Sequence, residues 1–291
     1  MKAAQGGKEM FEAPKENQFT QGTIFSCGHA DNYSQLPVYG LVITARCDAA
    51  QKKVPIYSFI PVVSIQDWTM ADGVEIVLTR QKEDCVNTQK NILEALDISP
   101  SVLRTSTAMD VAEKILQPLS MGDRKVVGRV QKFLDSQATI QDIETALKLN
   151  DRALLLSLLK KASKSLDQVL KELAGNRLTG YYLLREMPSI LTDGGDYVAL
   201  LREVHHIPNS VATWISKGIS QMEWEVSPVV GSCCPIFGSN DDYCMPVAKL
   251  KSPWMEHLMQ SWTLLFSRIG VEDVDFASVK QSLDSLGLEA V

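Results

Sequence analysis

The feature that most constrains this chain is a pair of strand-rich regions held apart by about 110 residues of helical pattern. Three segments near the front, GTIFS (22–26), VYGLVITARC (38–47) and VPIYSFIPVVSI (54–65), are rich in Val, Ile, Tyr and Phe and are separated by Pro, Asn, Gln and Lys. That composition marks strands and turns. The near-continuous apolarity of the last two segments predicts burial on both faces. Three strands can neither close a barrel nor cover so much apolar surface, so their partners must lie elsewhere in the chain.

Strand character returns after residue 178, in TGYYLLRE (179–186), DYVALLREV (196–204), ISQMEWEV (219–226) and YCMPVAKLK (243–251). Asp193-Gly194-Gly195 supplies a hairpin turn between the first two. Between the two strand groups, residues 66–176 read as helical. The clearest run places Leu155, Leu158, Leu159, Ala162, Leu166, Val169, Leu170 and Leu173 at spacings of three and four. Asn150 or Asp151 caps its start, and Gly175-Asn176 ends it. Lys160, Lys161, Lys164 and Lys171 fall mostly off that stripe and form a solvated face. Shorter helices are expected at 86–97, 108–117, 123–136 and 139–149, and two more after Ser252-Pro253, the last at 275–286.

Neither strand group alone removes its own edges. The expected architecture is therefore α+β: a β-barrel split in sequence, with a large helical insertion and C-terminal helices. The divisions are a flexible leader (1–18), first barrel strands (19–65), helical insertion (66–176), remaining barrel strands (177–251) and C-terminal helices (252–291).

Charge and targeting signals narrow the function classes. A net charge of −6 opposes nonspecific binding to a phosphate backbone, which draws on surplus Lys and Arg. The first 18 residues lack the apolar core of a secretory signal, and no run is apolar enough to span a bilayer. A cytoplasmic location is expected, with six reduced cysteines rather than a disulfide framework.

The candidate site lies at the ends of the early strands. Cys27, His29, Cys47 and Asp48 offer thiolate, imidazole and carboxylate, the donors that zinc takes in sets of about four. Strand alternation puts Cys27 and His29 on one face but Cys47 and Asp48 on opposite faces, unless the strand bends. Cys85, Cys233, Cys234 or Cys244 then becomes a source of the fourth ligand. Two other readings stay open: a reactive thiol with His29 as base, and cysteines that are simply buried hydrophobes. His205, His206 and His257 read as structural, GSCCPIFGSNDDYC (231–244) as a polar loop, and Asp193-Gly-Gly-Asp196 as a weak calcium turn at most. Phosphate-binding, dinucleotide-binding, zincin and nucleophile-elbow motifs are absent.

GTIF, VYGLVIT and IYSFIPV follow the strand layout of the PemK and MazF toxin family, which implies an SH3-like barrel. The Arg-rich loop and the catalytic Arg with Ser or Thr of those toxins are not matched, so the resemblance does not extend to ribonuclease activity. LVITARCD more closely resembles the Thr-x-x-Cys-Asp strand end of uncharacterised bacterial proteins encoded among phage-defence and other conflict systems. KSPWMEHLMQSWTLLFSRIGVEDV resembles the Ser-Pro helix closing in Arg-Ile/Val-Gly of the same proteins. That resemblance implies a non-enzymatic accessory protein that docks a larger effector. The alternative is a metal- or thiol-dependent hydrolase or nuclease centred on Cys27, His29, Cys47 and Asp48.

Overall fold

The computed structural model describes residues 9–46, 54–120, 124–188, 194–226, 228–238 and 243–266. Ten strands are found among them: β1 (Phe11–Glu12), β2 (Thr23–Phe25), β3 (Tyr39–Val42), β4 (Ile56–Ser64), β5 (Tyr181–Met187), β6 (Gly195–Leu200), β7 (His205–Pro208), β8 (Ile219–Ser220), β9 (Tyr243–Cys244) and β10 (Pro246–Leu250). One antiparallel sheet runs β1-β10-β2-β3-β4-β6-β5, with β7 also paired to β4, while β8 and β9 form a small ribbon. Front and rear strands therefore interleave: β10 lies between β1 and β2, and β4 pairs with β3, β6 and β7.

The sheet curls into a nearly closed barrel. At the seam the Arg185 backbone N–H of β5 points at the Met10 sulfur, 3.4 Å away, beside β1. Tyr39, Leu41, Ile60, Val62, Tyr182, Leu184, Tyr197, Ala199, Ala248 and Leu250 fill one interior, plugged by Met255 and Leu258. Alternate residues of the same strands face outward: Val63, Leu183, Val198 and Leu200 pack under the helices, and Val42, Tyr57 and Phe59 enter a third cluster. Period-two alternation with both faces covered accounts for the continuous apolarity of these strands.

Seven helices matter here: α1 (Val74–Glu94), α2 (Arg124–Leu149), α3 (Arg152–Lys161), α4 (Ser163–Ala174), α5 (Asn209–Lys217), α6 (Gln221–Val226) and α7 (Trp254–Leu264). Asp151 caps α3 by accepting from the N–H groups of Ala153 and Leu154, and Asn176, at φ 51°, turns the chain out of α4. Arg80 of α1 grips both oxygens of Glu172 on α4, at 3.1 and 2.7 Å. Among the described residues, no helix is long and apolar enough to cross a membrane.

Several sequence expectations are corrected. The leader is not free along its length: Met10 and Phe11 are 7% and 8% exposed, and Phe11 pairs with Leu250. Their apolar side chains give an otherwise polar segment something to bury. The single helix expected across 151–174 breaks at Ala162 (φ −88°, ψ 28°), while the two expected at 123–136 and 139–149 are one. Residues 219–226 hold two strand residues and then a helix, because Ser220 and Glu223 form a capping box: Glu223 accepts the Ser220 N–H at 2.8 Å, and the Ser220 hydroxyl accepts the Glu223 N–H at 3.3 Å. The helix expected at 275–286 lies outside the described residues.

Candidate metal centre

The site is built where β2 ends. Cys27 adopts φ 57°, a left-handed conformation that terminates the strand. Gly28 then presses against β3: a Cβ there would meet the Tyr39 carbonyl carbon at 2.7 Å. Only glycine fits that approach. The chain leaves this corner through His29 into a short turn, Asp31–Tyr33. From the rear half, Glu203 follows β6, and His205 opens β7 opposite Phe59 of β4.

These two segments meet. The His29 and His205 rings stand edge to face, with centroids 4.7 Å apart. One donor atom from each of His29, Asp31 and His205 lies within 4.8 Å of the others, a spacing that can hold a metal ion. His29 Nε2 is 3.1 Å from Asp31 Oδ1, while its Nδ1 is buried with no hydrogen-bond partner. Glu203 Oε1 lies 2.6 Å from His205 Nε2 and also accepts the Asp31 backbone N–H at 2.8 Å. A carboxylate can only accept, so the Nε2 it faces donates and the neutral ring keeps its lone pair on Nδ1. A carboxylate orienting an imidazole in this way is a common support for a metal ligand.

The residues singled out in the sequence separate. His29 is in the cluster. Cys27 is 3% exposed, with its sulfur 3.7 Å from the Tyr243 carbonyl, so the shared face expected from alternation ends at the left-handed residue. Cys47 and Asp48 lie outside the described residues. Cys85 sits on α1 beside Gln81, and the buried Cys244 donates to the Ser26 carbonyl at 3.0 Å. His257 meets the Tyr182 hydroxyl at 2.9 Å at the barrel end. Asp31, Glu203 and His205 were missed as site residues. The signal available was a repeated spacing: His29-Ala-Asp31 and Glu203-Val-His205 each put an imidazole two residues from a carboxylate.

A thiol pair borders the centre. The loop 228–238 is stitched to the barrel by Ile236 N–H donating to the Cys27 carbonyl at 2.9 Å. It carries Cys233, half-buried, with its sulfur 3.5 Å from the His206 carbonyl. The Cys234 thiol donates to Cys233 and, with a smaller contribution from the fields of His205 and His29, outweighs burial and pulls the Cys233 thiol down to about 6. Cys234 is pushed up by the same bond and by its burial.

A half-buried acid lies within the field of Glu203. Asp72, in the wide π-turn Thr69–Gly73, is raised above the ordinary carboxylate range by burial, against the opposing pull of Tyr181 and Tyr33, and Glu75 and Glu203 add repulsion. Wide turns of this kind recur at functional positions. The Tyr33 hydroxyl, held high by burial and by Asp72, closes no well-formed hydrogen bond of its own. A cavity of about 690 Å³ lined by Phe19, Tyr57, Asn209, Thr213 and Lys217 does not include the histidine pair.

No known protein family, no curated protein and no solved structure matches this chain.

Proposed function

We propose that this protein is a non-enzymatic, zinc-bearing binding protein of a bacterial anti-phage or other conflict system, built on a split SH3-like barrel and docking a larger protein effector. The observation that carries the zinc reading is the convergence of His29, Asp31 and His205 from opposite ends of the sequence. Two imidazoles and a carboxylate favour zinc over the hard cations, which prefer all-oxygen sites.

The docking reading is supported by the segment that adjoins the Cys233 loop in sequence. Met222, Val226, Val230 and Tyr243 are 76%, 81%, 99% and 57% exposed, and Met222 and Val226 stand one helical turn apart on α6. Exposed apolar groups concentrated in one stretch are a feature of interaction surfaces. Glu223 and Glu225 flank them on a chain of net charge −6, so the partner offers an apolar surface with a basic rim.

The test compares the full chain with a Met222→Asp/Val226→Asp variant recovered from the native host under chelator-free conditions. A partner held in about 1:1 ratio by the unaltered chain and lost from the variant, with zinc retained in both, supports the proposal. A hydrolytic reading is favoured by one observation: three protein donors leave a coordination position open. Chelator-sensitive cleavage of RNA or DNA that His205→Ala abolishes would establish that reading and overturn the non-enzymatic one.

A further inference from the structure

The zinc reading leaves the fourth coordination position unassigned, and the structure distinguishes among the thiols of the described residues. Cys85 is on α1 with Gln81 as its neighbour. Cys27, Cys234 and Cys244 are 3%, 1% and 0% exposed, and Cys27 and Cys244 point their sulfurs at the backbone carbonyls of Tyr243 and Ser26. Cys233 differs. It is half-buried, on a loop, and its sulfur rests against the carbonyl of His206, the residue following His205.

We infer that Cys233 is the fourth ligand: its thiolate closes the His29, Asp31 and His205 site and so pins the loop 228–238 to the mouth of the barrel. This rests on the zinc reading given above. The Cys233 sulfur lies outside the 4.8 Å set and rests against the His206 carbonyl at 3.5 Å, so it closes the site by turning from that carbonyl toward the imidazoles. On binding, a sulfur–metal bond forms to the thiolate, and any proton the sulfur still carries leaves to solvent. Two nitrogens, one oxygen and one sulfur make a closed tetrahedral set of the kind that structural zinc occupies.

The loop is held by the Ile236 N–H on the Cys27 carbonyl and by Cys234, buried in the cluster against which Val229, Cys233 and Phe237 pack; a ligand bond at Cys233 adds an anchor to these. The loop follows α6 in the chain, so fixing Cys233 restrains the placement of Val230, three residues before it. The metal centre then organises the apolar segment proposed for docking and has no free position for substrate.

The test uses the full-length chain, stripped with a chelator and titrated with Co²⁺. The unaltered chain and Cys234→Ala should each take up one equivalent and show sulfur-to-cobalt charge-transfer absorption in the near ultraviolet. Cys233→Ser should lose that absorption and bind about 10–100-fold more weakly or worse, while its unfolding midpoint without metal stays that of the unaltered chain. Cobalt bound at one equivalent without the sulfur band overturns this inference and leaves the zinc reading standing, as does a band that persists in Cys233→Ser. If the unaltered chain takes up neither Co²⁺ nor Zn²⁺, the zinc reading fails and this inference with it.

Discussion

Glu203 Oε1 sits 2.6 Å from His205 Nε2 while accepting the backbone N–H of Asp31, so one carboxylate from the rear half of the chain orients groups from both halves. It fixes the tautomer of His205 and the position of the turn that carries Asp31. Glu203→Gln keeps the shape but offers a weaker acceptor. Zinc affinity, measured by competition with a chromophoric chelator, should fall about 10–100-fold. An unchanged affinity would show that Glu203 does not support the centre.

Metal binding to the native state alone should stabilise it by mass action. At free zinc about 100 times the dissociation constant the gain is about 2.7 kcal/mol, and His29→Ala should abolish the zinc-dependent part of it. Thermal melts with and without zinc check this. A zinc-dependent shift that survives in His29→Ala would remove His29 from the ligand set.

Asp72 carries a pH signature. Burial raises its folded-state pKa above the ordinary 3.8, so the native protein holds this proton to higher pH than the unfolded chain does. Its contribution is full below the ordinary value and is lost as pH rises through the raised folded value. Asp72→Asn should therefore be more stable than the unaltered protein at neutral pH, with the difference shrinking as pH falls toward 4. Urea midpoints across that range measure it; a variant less stable at pH 7 would show that the charged carboxylate is an asset to the fold.

Gly40 has no room for a side chain. A Cβ there would overlap the Phe25 ring and meet Phe59 Cδ2 at 2.9 Å, and both rings are fully buried. Gly40→Ala should cost about 1–3 kcal/mol by overpacking, read from the chemical unfolding midpoint. A loss below about 0.5 kcal/mol would mean that β2 and β4 yield more easily than their packing implies.

Leu250 joins front and rear strands, since β10 lies between β1 and β2 and its side chain enters the barrel interior. Leu250→Ala should cost about 2–5 kcal/mol and lower the midpoint reported by Trp fluorescence and by circular dichroism alike. If the two signals separate, the front strands hold together without the rear ones.

Much of this architecture was legible because it is periodic. The stripe from Leu155 to Leu173 has spacings that only a helix satisfies, and its members Leu155, Leu158, Leu159, Val169 and Leu173 are buried. The two-sided apolarity of 54–65 is matched by β4, whose Ile60 and Val62 face one cluster and Tyr57 and Phe59 another. Short segments were less legible. Two residues of β1 carry no period, and α6 reads equally well as alternating strand.

The candidate centre was half legible. His29 was marked by its chemistry and by the strand end before it. His205 looked structural because nothing local shows which distant ring it meets.

The sequence by itself determined the longer strands β3 to β6, the helical stripe from Leu155 to Leu173 and the Asp151 cap before it, since each follows from side-chain spacing within a few residues. Only the tertiary structure decided that Asp31 and Glu203, 172 residues apart, would be neighbours. That pairing depends on the register of β4 against β6 and β7, which is set by burying both sheet faces at once, and no local pattern records it.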